Sequence, residues 1–440
     1  VDEMNTATLG AGRVARSTLT LVAESVLRLG LTAVVAFWIA RSLGPEQFGM
    51  LNFASALMAI FLAAAGLGMD VPVIVRLSRQ REAAHILGSA IGLRLVAAVL
   101  ACAAMALVGL GLHGDDPHAL AVVLIVSLAL LGYAPSVFDL WFKAEVQAGP
   151  PAAARLLVTL LASAAKVGCL TWGWGLIGLA WTVVFEAVAH SVLLWLAWRR
   201  VAGARRVAPH FDRAEARALL KESAPYLAAT LATVLAMKID VVLLGALSSH
   251  LATGQYSLVQ KLSEVLCIVP VALIDSAFPW LVRRAALVPG AASQGQLLFD
   301  LAAASAMLAA VAGVLLAAPL IELAFGAAYA QAVPLFQLHA WTCVGIALHT
   351  ARHRWLATEN LQRHSLTLAL ASAALSIGLN TVLIPVWGAM GAAIAALLAW
   401  FVAGMLMSFA IPALREIGVM QCRALWPWAR LWRVWQGRLR

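Results

Sequence analysis

What most limits the folds open to this chain is where its basic residues stand. The sequence divides into about twelve apolar stretches of bilayer-spanning length, and nearly all of its 31 Lys and Arg lie in every second gap between them. With 63% hydrophobic residues, 12% charged residues and a mean hydropathy of +0.90, the chain has too few charges to cover a water-soluble domain of its size. Lipid is the solvent for most of it. The expected fold class is an all-α polytopic membrane protein.

Runs of apolar residues predict spans near 17–40, 50–75, 86–110, 119–141, 154–172 and 176–198, and a second set near 224–246, 255–281, 298–321, 332–351, 365–387 and 389–412. The odd-numbered gaps hold one basic residue, Arg41. The even-numbered gaps and the two tails hold 25, including Arg76, Arg79 and Arg81, a block from Arg199 to Lys221, Arg352 and Arg354, and a tail from Arg415 to Arg440. Basic loops stay cytoplasmic, so both termini are expected inside. The net charge of +10 then reflects topology and attraction to anionic head groups rather than nucleic acid. The first apolar stretch reads as a span, being too long for a signal-peptide core. The five cysteines show neither a disulfide framework nor metal-ligand spacing, and no metal or cofactor is expected.

A weak internal repeat appears at an offset of 205 residues, placing Gly49 on Gly254 and Asp70 on Asp275. Six spans plus six, each half beginning inside, predict two parallel six-helix lobes at 1–198 and 224–414, with the substrate path between them. The basic stretch 199–223 would link them. Residues 415–440 alternate Trp426, Trp428, Arg430, Trp432, Arg433, Trp435 and Arg438, the composition of a helix lying at the membrane interface.

Ionisable residues at bilayer depth are costly and mark candidate sites. In the first span Arg16, Thr20, Glu24, Arg28 and Thr32 recur every fourth residue on one face. That stripe is either a buried ion pair that fixes packing or the lining of a watery cavity. Arg94 and Lys166 add cations to the third and fifth spans, and surplus positive charge suits an anionic substrate. Candidate substrate contacts are therefore Arg28, Arg94, Lys166, Glu24 and Lys261. Glu186 and His190, one turn apart in the sixth span, suit proton or cation exchange or, equally, an interhelical hydrogen bond. With Asp240 and Glu264 they form the candidate ion-coupling set. No phosphate-binding loop with the G-x-x-x-x-G-K-[ST] spacing is present, so energy would come from an ion or substrate gradient. The predicted outside loops are short, which disfavours a membrane glycosyltransferase or ligase.

Four stretches carry a family resemblance: Ala40-Arg-Ser-Leu-Gly-Pro-Glu-Gln-Phe-Gly49; Gly66-Leu-Gly-Met-Asp70 with Arg76; Asp139-Leu-Trp-Phe-Lys143; and Lys238-Ile-Asp240 through Gly245 to Gly254-Gln-Tyr256, Lys261 and Glu264, with Phe278-Pro279 and Arg283. In these the chain resembles the Wzx-type lipid-linked oligosaccharide flippases, the polysaccharide transporters of the multidrug/oligosaccharidyl-lipid/polysaccharide exporter superfamily. The resemblance implies twelve helices in two lobes in a bacterial inner membrane. It also implies alternating access and outward flipping of undecaprenyl-diphosphate-linked repeat units for lipopolysaccharide O-antigen, capsule or exopolysaccharide. Membrane lipid, a polysaccharide polymerase and a chain-length regulator are the implied partners. The lipid II branch of the family carries extra C-terminal helices; here an Arg/Trp tail stands in their place. The rival expectations are a cation-coupled multidrug exporter of the same superfamily, a membrane glycosyltransferase or ligase, and a scramblase without sugar specificity.

Overall fold

The computed structural model describes the backbone of residues 2–79, 83–202, 209–287, 291–358, 361, 364–428, 430 and 432; side chains are described over the same ranges except 2–27, 29, 202, 283–287, 291–294 and 357. Among the described residues every regular element is a helix, as backbone in hydrocarbon requires, since each N–H and C=O must find its partner within its own segment. Nine of these helices are long and apolar enough to cross a membrane.

The difference between nine and the twelve expected spans has a backbone cause. α1 (Asp2–Ala65) contains the first two expected spans, joined across Gly44 at φ 73°. The helix α14 (Ser365–Phe401) contains the eleventh and the start of the twelfth, joined across Gly388 at φ 54°. Only glycine enters that left-handed region without cost, so each continuous helix is two arms bent at one residue. The expected tenth span is split into α12 (Ala332–His339) and α13 (Thr342–Thr358), each too short to be counted as a span on its own.

Between these come α2 (Asp70–Arg79), α3 (Ala83–His113), α4 (Pro117–Ser127), α5 (Ala129–Tyr133), α6 (Val137–Ala144), α7 (Gly149–Thr171), α8 (Gly175–Ala202), α9 (Arg213–Leu247), α10 (His250–Leu287) and α11 (Ala291–Phe325). After α14 a π-helical turn, Val402–Leu406, leads into α15 (Met407–Ala410), and α16 (Arg415–Ala424) follows. The start of α4 follows from its sequence: Pro117 occupies the first turn, and the Asp116 carboxylate accepts from the N–H groups of His118 (3.0 Å) and Ala119 (3.1 Å). The second expected span, 50–75, ends earlier than its apolar pattern suggests. Leu67 and Gly68 take positive φ and close α1 before Asp70 opens α2.

The chain forms two compact units. The first comprises 1–42 and 61–227; the second comprises 43–60 and 228–440. In the first, Met69, Phe138, Phe142 and Trp198 share one buried cluster, with the Phe138 and Trp198 rings 4.8 Å apart. In the second, Phe299, Cys343, Leu348 and Trp355 form another. Lipid offers no hydrophobic drive for helix association, so helices must meet through close van der Waals contact at small residues. Ala302, Ala303 and Ala306 of α11 are accordingly fully buried, whereas Leu107, Leu315 and Val386 on other faces are left open, the pattern of a surface against acyl chains.

The stretch 45–60 of α1 packs within the second unit. A Cβ on Gly254 would fall 1.7 Å from the Pro45 carbonyl oxygen, and one on Gly49 would fall 1.9 Å from that of His250. The two glycines that the 205-residue offset equates thus lie at one helix crossing, where any side chain would push the backbones apart.

The described part of the stretch expected as a basic linker is packed against its unit. His210 N–H donates to the Ala84 carbonyl (3.0 Å), and α9 begins at Arg213; residues 203–208 lie outside the described ones. The C-terminal segment also departs from a purely interfacial helix. Gln421 of α16 is fully buried, its amide donating to the carbonyls of Gly404 and Leu348 and accepting from Ser408 Oγ at 2.8 Å. Gly404 lies in the π-helical turn, whose widened register leaves carbonyls for an outside donor. Arg430 makes a two-pronged pair with Asp300 of α11 at 2.7 and 2.8 Å, and hydrogen bonding to that carboxylate raises the arginine above its ordinary pKa.

Candidate functional site

A cavity of about 500 Å³ lies wholly within the second unit. α9 supplies Asp240, α10 supplies Gln260, Ser263 and Glu264, and α12 supplies His339; α13 and α14 form the remaining walls. Polar groups this deep need partners, and here they have formed a chain. Asp240, 6% exposed, accepts from the Tyr256 hydroxyl at 2.6 Å and from the Val241 N–H at 2.8 Å. The Tyr256 oxygen stands 3.5 Å from His339 Nε2, and His339 Nδ1 is 2.8 Å from Ser263 Oγ.

One proton arrangement satisfies all of these contacts. The Ser263 hydroxyl donates to Nδ1, the imidazole carries its proton on Nε2 facing the Tyr256 oxygen, and Tyr256 donates to Asp240. Among the described residues Asp240 has no Lys or Arg paired to it. The nearby Lys238 Nζ stands 3.6 Å from Glu264 instead. The site can hold a carboxylate at bilayer depth either protonated or balanced by a small cation.

Cations and carboxylates in the first unit are arranged differently. Arg94, 7% exposed, pairs with Asp70 and donates to Ser136 Oγ at 3.2 Å. Lys166 pairs with Glu186 at 2.7 Å. Arg155 and Lys143 both reach Asp139, at 3.0 and 2.7 Å. Outside the spans, Arg76 bridges Glu222 and Glu215 of α9, both at 2.6 Å. Those hydrogen bonds, Glu222 foremost, raise its pKa further, so it stays charged.

Residues 14–284 match the family described as polysaccharide biosynthesis protein. The chain belongs to that family. Among solved structures, the lipid II flippase MurJ in an inward closed conformation is similar over 92% of this chain and 91% of its own, with a TM-score of 0.68 at 11% identity. An inward-facing multidrug resistance MATE family transporter of the MOP superfamily is similar over 88% and 96%, with a TM-score of 0.63 at 16% identity. A MOP superfamily transporter from Pyrococcus furiosus follows over 92% and 95%, with a TM-score of 0.52 at 15% identity. No curated protein matches significantly. At such identities the likeness is one of fold, and the fold is that of MOP superfamily transporters. The protein is a multi-pass membrane protein of polysaccharide biosynthesis.

In this family member the stretches that carry the sequence resemblance serve mainly as scaffold. Gly49, Gly245 and Gly254 are points of close helix approach; a Cβ on Gly245 would fall 2.3 Å from the Phe53 ring. Asp70, Arg76 and Asp139 are all ion-pair partners. Of the expected coupling residues, Asp240 and Glu264 line the cavity, while Glu186 is taken by Lys166. His190 faces the Tyr133 ring, with centroids 6.2 Å apart. Of the expected substrate contacts, Arg94 and Lys166 are paired. Arg28 and Lys261 are partly buried and neither lacks an interaction. The Glu24 side chain lies outside the described residues.

Tyr256 and His339 have roles that helical periodicity did not reveal, because their link to Asp240 is made across three helices. Arg352 was counted with the cytoplasmic loop cations, yet it is 1% exposed. The available signal is its spacing: Arg352 and His353 each fall one turn after His349 on one helix.

Proposed function

We propose that the protein flips polyprenyl-diphosphate-linked oligosaccharide repeat units from the cytoplasmic to the periplasmic leaflet of a bacterial inner membrane, for surface polysaccharide assembly, by alternating access coupled to an ion gradient. The observation that carries this reading is the polysaccharide biosynthesis match over residues 14–284 on a fold shared with a lipid II flippase. The need is physical, since a bare diphosphate cannot cross hydrocarbon and must travel with its charge met by protein and water. Arg28, on the polar face of the first span, is the candidate grip on the diphosphate, its fork suited to phosphate oxygens.

Coupling is assigned to Asp240 and its chain. A proton delivered to His339 Nδ1 would let Nε2 pass its proton to Tyr256 as Tyr256 passes its own to Asp240. One proton enters and one arrives, and no charge is left on the intermediates. The 3.5 Å separation between Tyr256 and His339 is the link that a movement of α12 would make or break. A cation-coupled multidrug exporter is the second reading, favoured by the MATE-type fold and by two carboxylates at a largely apolar cavity.

Reconstitution tests both. Proteoliposomes carrying a fluorescent prenyl-diphosphate-linked oligosaccharide should show protein-dependent movement of the label to the leaflet reached by an impermeant reductant. Arg28→Ala should slow it about tenfold or more at near-normal protein level, and Arg28→Lys should restore only part. Recovery in Glu24→Gln/Arg28→Gln would remove Arg28 from the substrate site. Transport of a lipophilic cationic dye, with no movement of the oligosaccharide, would assign the exporter reading.

A further inference from the structure

The second unit buries an arginine for which no described side chain supplies a counter-charge. Arg352 of α13 is 1% exposed and lines the cavity. Its partners are neutral: one terminal nitrogen donates to Ser408 Oγ at 3.2 Å, and the other to His349 Nδ1 at 3.1 Å. The Nε group has no hydrogen-bond acceptor, and among the described residues no carboxylate pairs with it. A guanidinium does not shed its proton, and burying it without an anion costs several kcal/mol.

The surroundings hold this charge in place. Ser408 is itself fixed by Gln421, whose amide also binds the π-helical turn at Gly404 and the Leu348 carbonyl next to His349. A long side chain near a helix end would ordinarily reach out to the membrane surface. Arg352 is instead kept inside by a dedicated set of polar contacts.

The cavity is also lined by His349, His353 and Ser365 and by Leu356, Leu366 and Leu368, of which Leu356 and Leu368 share one buried cluster. The cavity's carboxylates have other partners: Asp240 accepts from the Tyr256 hydroxyl at 2.6 Å, and Glu264 faces Lys238 at 3.6 Å.

We propose that Arg352 is the centre of an anion site in the second unit that takes a phosphate group, with His349 and His353 beside it and the leucine-lined wall receiving an apolar stem. The shared chemistry is a phosphate or diphosphate head. It can come from free inorganic diphosphate or from the head of a prenyl phosphate lipid, and the lipid source would use the apolar wall as well. The site does not depend on the transport reading, because it requires binding and not movement.

The test uses the full chain purified in neutral detergent, titrated with inorganic diphosphate, geranyl diphosphate and geraniol while its thermal midpoint is followed. A diphosphate should raise the midpoint by about 3 °C or more at saturation, and geraniol alone should not. An equal shift by inorganic diphosphate identifies the free anion as sufficient; a shift by geranyl diphosphate alone identifies a lipid head. Arg352→Gln should weaken binding at least tenfold, whereas Arg354→Gln, which removes the arginine paired with Asp275 at 2.9 Å, should leave it intact. Where Arg352→Gln does not accumulate, Arg352→Lys decides, with an expected weakening of about tenfold from the loss of the fork. The site is overturned if neither diphosphate shifts the wild-type midpoint, or if affinity is undiminished in the Arg352 variants.

Discussion

The two units differ in how several of their buried charges are met, although the second also pairs Lys238 with Glu264. In the first, Arg94 meets Asp70, Lys166 meets Glu186, and Arg155 meets Asp139. In the second, Asp240 is met by a tyrosine and a backbone N–H, and Arg352 by a serine and a histidine. Paired charges fix one geometry, because removing either partner strands the other in a medium that cannot solvate it. A charge held by neutral groups keeps its demand for a counter-ion, and a proton, cation or anion from outside can meet it. On the proposed function, the comparison places exchange at Asp240 and Arg352 of the second unit and rigidity in the pairs of the first. That assignment can be broken on one scale, thermal stability.

The largest loss is expected at Glu186. Its carboxylate and the Lys166 ammonium are 34% and 21% exposed, so neither is bathed in water. Glu186→Gln should destabilise the purified protein by about 3 kcal/mol. Lys166→Met/Glu186→Leu should recover most of that loss, since replacing both partners by apolar groups is often neutral. Should Glu186→Gln melt like the wild type while transport loses its response to a pH gradient, the first unit would hold an exchange site after all, the role first expected for Glu186 and His190.

A smaller loss is expected at Asp240. Asn keeps the shape and accepts from Tyr256 with its one oxygen, losing the bond from the Val241 N–H; no described cation loses its partner, so Asp240→Asn should cost about 1 kcal/mol. Its effect belongs in transport, where the response to a pH or cation gradient should vanish. A stability loss as large as that of Glu186→Gln would mean that Asp240 is structural and would erase the contrast between the units.

The helices were legible in the sequence because bilayer thickness fixes the length of an apolar run. Their interruptions were less so. Gly44 stands beside Pro45 in an obvious break, but the gap between α12 and α13 falls at Ala340 and Trp341, where composition carries no warning. The tail's tryptophans and arginines describe a membrane surface, whereas its anchoring runs through Gln421, whose partners lie in α13, α15 and the π-helical turn, and through Arg430 at Asp300. Within the site, Asp240 and Glu264 could be read as intramembrane carboxylates. The pairing of Lys166 with Glu186 needed the register of two antiparallel helices. Arg352 escaped because a positive-inside count assigns each cation to a gap and takes no account of burial.

The smallest effect is expected at Lys143, and it tests whether pairing as such, rather than depth, gives the first unit its rigidity. Lys143 and Arg155 share the Asp139 carboxylate, but Lys143 is 52% exposed where Arg155 is 31% exposed. An exposed pair one helical turn apart gains little, because water and salt screen it and the lysine loses rotamer freedom. Lys143→Ala should shift stability by no more than about 0.5 kcal/mol, and added salt should shrink even that. Asp139 keeps Arg155, so no charge is stranded. If Lys143→Ala instead cost as much as Glu186→Gln, pair number alone would set the stability of the first unit and burial would cease to matter. A null result beside a large loss at Glu186 would show that the first unit takes its rigidity from pairs kept away from water and not from how many pairs it holds.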